Sequence, residues 1–261
     1  MEVIILENER AIADVAAQGI AALLAANPAA VIGLATGSSP LALYRRLIEL
    51  NQAGEISFAQ AQCFQLDEYV GIATDHPERY GNVLVTELVG QVDFAPGALH
   101  GLDSLAQDIP AFCQAYEATI KQAGGIDLQI LGIGSDGHIA FNEPGSALTS
   151  RTRLITLTEQ TVADNARFFA GDLAAVPKYA ITQGLGTIME ARHLVLMAMG
   201  QGKAEAVRQL VEGGVSAKWP ASIMQFHQHA TVLLDPAAAS GLELADYYRY
   251  TYANKPAWMP L

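Results

Sequence analysis

The sequence predicts an α/β fold: a single-domain layered structure with a largely parallel central sheet flanked by helices, plus a helical lid. Three observations predict it. Six short, apolar and mostly unalternating runs, at residues 3–6, 31–35, 62–66, 127–132, 193–199 and 231–234, read as strands covered on both faces. Between them lie helical patterns at 9–26, 40–51, 79–89, 105–122 and 203–212, each long enough to cross back over a sheet. The 261 residues, 51% hydrophobic and 16% charged, supply one sizeable core, and no low-complexity linker or internal repeat divides them. One domain over 1–261 is therefore expected, with ligands bound in the loops that follow the carboxyl ends of the strands.

Composition narrows the partners. Fifteen basic against 27 acidic residues give a formal charge of −12, which repels nucleic-acid phosphates and anionic membrane surfaces. An anionic small-molecule substrate would need a locally positive pocket. Cys63 and Cys113 sit beside apolar neighbours, which argues against a disulfide framework and for a reducing compartment. The opening MEVIILENERA has no basic n-region, and its apolar run is too short for a signal or a membrane span. The expectation is a cytoplasmic protein without nucleic-acid or membrane partners.

Taken in chain order, the first run (3–6) feeds the helix at 9–26, and the second (31–35) ends in ATGSSPLALY. There Gly37 relaxes the backbone, Ser38 or Ser39 can cap the next helix, and Pro40 suits its first turn. Free N–H groups at such a helix N-terminus favour phosphate; the same residues also fit an ordinary capped turn. This is not a GxxxxGK[ST] loop. The third run (62–66) leads into Asp67 and Glu68, which strand alternation sends to opposite sides. One can face a substrate as general base while the other makes structural hydrogen bonds, and Asp67 is the better candidate; helix-capping or surface roles fit equally.

The fourth run (127–132) opens LGIGSDGHIAFNEP, which concentrates Asp136, His138 and Glu143 in one loop. Gly132, Gly134 and Gly137 match G-x-G-x-x-G after a strand, but a dinucleotide-binding turn needs a helix opening at the third glycine, and Pro144 cannot sit inside one. The glycines instead let the backbone approach a small ligand, and His138, titrating near neutral pH, gains basicity from a neighbouring Asp136 or Glu143, as an acid/base relay requires. Residues 158–178, rich in alanine and small polar residues and bounded by Gly171 and Pro177, read as a helical cover, with Arg167 placed to clamp a phosphate. After the fifth run, Lys203 follows Gly200-Gln201-Gly202 at a helix start, where ammonium and backbone amides can hold an anion. Arg167 and Lys203 each also fit a solvated surface charge. His227 and His229, two apart without a third ligand, are read as structural, and no metal site is assigned.

LGIGSDGHIAFNEPGS, with ATGSSPLALY, QLDEYVGI, HPERYGN, VPKYAITQGLGTI and MGQGKAEAV in the same order along nearly the whole chain, resembles the glucosamine-6-phosphate deaminase family, also called glucosamine-6-phosphate isomerases. The FNEP ending is the most specific part. The resemblance implies opening of an amino sugar phosphate ring, aldose–ketose isomerisation and release of ammonia to leave fructose 6-phosphate, with no metal or organic cofactor. It implies that His138, assisted by Asp136 and Glu143, moves the ring-opening proton, and that Asp67 takes the C2 proton and returns one to C1. Thr36, Gly37, Ser38, Ser39, Arg167 and Lys203 would hold the substrate's phosphate.

Allosterically activated hexameric members carry an effector-binding lysine after FNEP. Here SRTRLITL keeps Arg151 and Arg153 but places Ile155 at that position, which implies weak or absent activation by N-acetylglucosamine 6-phosphate. The aromatic segment 246–261 is a candidate surface for a homo-oligomer. Two alternatives remain: a 6-phosphogluconolactonase-type hydrolase, similar around DGH but usually lacking FNEP, and a non-catalytic sugar-phosphate sensor. The sensor would require a DNA-binding module, yet the strand pattern begins at Val3 and the chain is acidic.

Overall fold

The structure, a computed structural model, describes residues 1–256 together with Met259 and Leu261. The six anticipated strands all form, as β1 (Glu2–Ile5), β2 (Val31–Leu34), β3 (Gln62–Gln65), β6 (Leu128–Leu131), β9 (His193–Ala198) and β10 (Ala230–Leu234). With the two-residue β5 (Leu99–His100) they make a seven-stranded sheet in the order β1-β10-β9-β6-β2-β3-β5, parallel at every pairing. Burial explains why these runs are apolar without alternation: every residue of β2, β6, β9 and β10 is buried.

Helices cover the sheet as expected, with shifted starts. α1 (Glu9–Ala26) begins where Asn8 Oδ1 accepts from Ala11 N at 2.9 Å, and it buries Ile12, Ala16, Ile20 and Leu24. α2 is Leu41–Gln52, α3 Tyr80–Glu87 and α7 Ala204–Val211. α4 (Ile109–Gln122) starts four residues later than the apolar pattern from 105 suggested. The cause is local: the Asp108 side chain accepts from Ala111 N and Pro110 sits in the first turn, so the helix cannot extend back through them, and Leu105 is left exposed.

A second sheet was not anticipated. β4 (Asp67–Tyr69), β7 (Arg153–Thr156) and β8 (Tyr179–Thr182) form an antiparallel trio in the order β4-β8-β7. Its apolar side gathers Tyr69, Phe141, Leu157, Phe169, Val176 and Ala180 into a small cluster apart from the main core. Asp67 and Glu68 thus belong to a strand of their own and not to the end of β3. Residues 158–178 connect β7 to β8 as α5 (Glu159–Asn165), a 3-10 turn (Ala166–Phe169) and irregular chain after it. The helical part ends early because Ala170 and Gly171 adopt φ of 54° and 81°, the left-handed conformation that stops a helix.

α6 (Leu185–Ile188) and α8 (Ala245–Ala253) complete the elements. α8 leaves Tyr247 and Tyr250 exposed, while Ala257, Trp258 and Pro260 of the aromatic C-terminal stretch lie outside the described residues. Both cysteines are free and buried. Among the described residues no helix is long and apolar enough to cross a membrane.

Candidate active site

From β2 the chain moves to β3 on one side, whereas from the adjacent β6 it moves to β9 on the other, so the loops after β2 and β6 diverge and leave a crevice. A cavity of about 360 Å³ lies there, floored by the loops after β2, β6 and β9, walled by Asp67 and Tyr80, and roofed by the 158–178 segment. Thr36, Gly37, Ser38, Ser39, Asp67, His138, Arg167 and Lys203 all line it; Asp136 and Glu143 stand behind His138.

One end is built for an anion. Gly37 takes φ of +87° with open space where a Cβ would project, which turns the 36–39 loop over the end of β2. The expected capping by Ser38 or Ser39 does not occur: Pro40 is the N-cap of α2 and no side chain caps it, so neither hydroxyl is used up by the helix. Lys203 stands at a helix start as expected, closing the 3-10 turn Gln201–Lys203 and forming the N-cap of α7. Gly200, at φ +85°, sets that turn, and its N–H donates to both oxygens of Asp235 at 3.1 Å. Burial pushes the Lys203 ammonium's pKa down and nearby Arg167 adds to it, against the pull of Asp164. Arg167 comes from the roof, its guanidinium 4.7 Å from the Phe168 ring centre. Two cations in one cavity of an acidic chain raise each other's energy, a cost that an arriving dianion removes.

The other end carries titratable groups. No helix follows β6; the 132–152 loop is made of turns, with an isolated bridge between Ile139 and Asn142. A Cβ on Gly134 would lie 2.4 Å from the His138 ring, so this glycine makes room for the imidazole, and its backbone, with that of Gly132, also lines the cavity. His138 Nδ1 is 2.7 Å from Asp136 Oδ1 and 3.7 Å from Glu143 Oε2, which leaves Nε2 for the cavity. The Nδ1 contact is close but off the hydrogen-bond line, while the backbone N–H of His138 donates to the same Asp136 oxygen at 3.2 Å. Burial disfavours the imidazolium, yet Asp136 and Glu143 outweigh burial and Lys203, and the pKa of His138 is raised. Burial likewise resists ionisation of Asp136, but His138 holds that carboxylate down at about 2. Burial pushes Glu143 up, against contacts with Thr161, His138 and Thr158.

Asp67 is buried, and among the described residues no group hydrogen-bonds its carboxylate. Burial first, then the neighbouring Glu68 charge, push it up to about 7, with His138 pulling the other way. A carboxyl in that range is suited to remove and return a carbon-bound proton near neutral pH.

Asp136, His138 and Glu143 are also a donor set whose ligand atoms lie within 4.8 Å of one another. Two ligands of one zinc ion stand about 3.3 Å apart in tetrahedral geometry. The 2.7 Å contact of Nδ1 with Oδ1 is closer than that, a direct pairing of the two side chains.

Several residues at the site went unnoticed in the sequence. Asn142, fully buried, donates to Ile139 O and Gln183 O and accepts from Arg153, so the N of FNEP ties the His138 loop to β8. Thr158 donates to Glu143 from the N-cap of α5, joining the roof to the relay. Asn165 of the roof donates to Tyr69, which also receives the Tyr80 hydroxyl. Ala140, a non-glycine at φ +50° on the cavity wall, had no sequence signal at all. His227 and His229 serve structure: His227 meets Ala191 O at 2.8 Å, and His229 stacks on His193 at 3.6 Å.

Comparison with known proteins places this geometry. The model of the family described as glucosamine-6-phosphate isomerases/6-phosphogluconolactonase matches residues 7–233. The chain is 66% identical to the glucosamine-6-phosphate deaminase of Mycolicibacterium smegmatis over 258 residues, 99% of each chain, and 61% identical to that of Beutenbergia cavernae over 261 residues, 100% of each. Among solved structures, a monomeric glucosamine-6-phosphate deaminase is similar at TM-score 0.90 and 40% identity, covering 92% of this chain and 100% of that one. The 6-phosphogluconolactonase of Trypanosoma brucei, at TM-score 0.73 and 20% identity over 92% of this chain and 98% of that one, shares the fold.

Proposed function

The chain belongs to the glucosamine-6-phosphate isomerase/6-phosphogluconolactonase family, and from that premise we propose that it converts glucosamine 6-phosphate to fructose 6-phosphate and ammonia. The observation that carries this reading is one cavity with two separate proton-transfer groups, Asp67 and His138, facing a cationic end. A lactone hydrolysis needs water activated at one carbon; an amino sugar isomerisation needs proton transfer at the ring oxygen and again at C2.

In the proposed sequence the phosphate rests on the 36–39 loop, Lys203 and Arg167. Protonated His138 gives a proton to the ring oxygen and recovers one from the anomeric hydroxyl, while Asp136 and Glu143 hold the imidazolium. Asp67 takes the C2 proton of the open chain; the electron pair left behind forms the C1–C2 double bond of an enolamine as the C1 carbonyl pair moves onto O1, which takes a proton from His138. Returning the proton to C1 gives a C2 imine, to which water adds before ammonia leaves. The 158–178 segment acts as the lid, and a homo-oligomer is unnecessary for the chemistry because every group named comes from one chain. The two buried free thiols suit the reducing cytoplasm, where we place the reaction.

An ammonia-release assay with glucosamine 6-phosphate, run beside a 6-phosphogluconolactone hydrolysis assay, tests the reading; folded protein that releases no ammonia would overturn it. Arg167→Ala should raise KM about 10- to 100-fold with kcat little changed, since a charge-assisted phosphate contact is lost. The role assigned to Arg167 is wrong if steady-state kinetics show kcat falling at constant KM.

N-acetylglucosamine 6-phosphate should leave the apparent substrate affinity within about two-fold, because Ile155 stands where activated relatives carry an effector-binding lysine. Ile155 packs against the apolar cluster of the second sheet. Arg153 is committed to Asn142 and Ser146, and Arg151 to Glu117 and Glu190. A substrate saturation curve that moves strongly on adding the effector would contradict this.

A further inference from the structure

Glu68, next to Asp67 in β4, is completely buried and has no contact with the cavity. Each of its four hydrogen-bond partners donates. Oε1 accepts from Tyr69 N and Tyr80 N at 3.0 Å, while Oε2 accepts from Gly81 N at 3.0 Å and from Gln65 Nε2 at 2.8 Å. Four N–H donors and no acceptor are the surroundings of a carboxylate.

These bonds reach both reacting parts of the cavity wall. The Gln65 amide that donates to Glu68 also donates to the backbone oxygen of Asp67 at 2.7 Å, and its own oxygen accepts from Leu102 N. The two backbone N–H groups of Tyr80 and Gly81 fix the first turn of α3, from which the Tyr80 ring stacks on Phe141 and lines the cavity. Resting on the deaminase reading of the same site, we propose that Glu68 is a positioning residue for carbon proton transfer: its buried charge and four N–H bonds hold Asp67 and Tyr80 on the cavity wall in one arrangement.

The charge has a second effect. A like charge one residue away disfavours ionisation of Asp67 and strengthens it as a proton acceptor. The other groups facing Asp67 are His138 from the loop after β6, which opposes Glu68, and the hydroxyls of Tyr69 in β4, Tyr80 in α3 and Tyr116 in α4. Burial keeps all three tyrosines neutral through the relevant pH range, so Glu68 supplies the fixed negative charge at that wall.

The test titrates Asp67 in the ligand-free protein by carbon-13 NMR of the labelled carboxyl, with Asp67→Asn providing the assignment. Substrate is not required, so this readout survives even if the wild-type ammonia assay fails and only the functional reading falls. Glu68→Gln should lower the Asp67 midpoint by about one pH unit, and where ammonia release is observed the acid limb of kcat/KM should move with it. Glu68→Asp, which keeps the charge on a shorter stem, should hold the midpoint and lower kcat. An unmoved midpoint in folded Glu68→Gln would overturn the proposal. Should Glu68→Gln fail to fold, Glu68→Asp carries the test, and a midpoint lowered in that variant overturns it.

Discussion

Asp67→Asn is expected to lower kcat for ammonia release by about 1,000-fold while leaving the phosphate-dependent part of substrate binding in place. A positioned base contributes roughly 100- to 10,000-fold, and among the described residues the one other carboxylate lining the cavity, Asp164, belongs to the roof. Its partner experiment reads stability. The carboxyl of Asp67 is pushed up to about 7, chiefly by burial, against an ordinary value near 4. Folding therefore favours the protonated acid. Its contribution to stability is complete below about pH 4 and is lost as pH rises through about 7. An amide of the same shape never ionises, so Asp67→Asn should show a Tm advantage over wild type that grows between pH 5 and pH 8. If the Tm difference is flat across that range, the buried-acid account of Asp67 fails, whatever the kinetics show.

His138→Gln is the second large effect, a loss of about 100- to 1,000-fold in kcat from the glucosamine side with KM nearly unchanged. The two losses differ in kind. Fructose 6-phosphate has an open-chain fraction that needs no help from His138, so with ammonia present Asp67 can still exchange hydrogen at C1 with solvent. Deuterium should enter fructose 6-phosphate in His138→Gln and fail to enter in Asp67→Asn. Equal exchange in the two variants would contradict the division of labour. In wild type the acid limb of kcat/KM should belong to Asp67, which must be ionised and so requires pH above about 7 in the free enzyme. The alkaline limb belongs to His138, whose pKa lies above the ordinary histidine value because Asp136 and Glu143 outweigh its burial. Asp136, held at about 2, stays anionic across the whole profile.

Much of the fold was legible because the central sheet is buried on both faces. Its strands had to be written as short, largely apolar runs such as His193–Ala198 and Ala230–Leu234, and these stand out locally. The second sheet was not legible. β4 opens on two acids and β7 buries none of its four residues, so neither carries the apolar run that marks the equally short central strands. Helix starts failed for a different reason, since a single side-chain cap at Asp108 outweighs several apolar residues before it.

By itself the sequence determined a parallel α/β layer, and it singled out the residues proposed for the chemistry: Asp67, the Asp136–His138–Glu143 loop, and the Lys203 and Arg167 cations. Tertiary structure alone decided how these residues relate. Antiparallel pairing of β4 with β8 sets Asp67 on the cavity wall and turns Glu68 inward to α3. Gly134 lets His138 fold back onto Asp136, and Asn142 fastens that loop to β8. The physical reason is that strand and helix periodicity are local properties of the chain, whereas burial, charge and proton affinity are sums over neighbours distant in sequence.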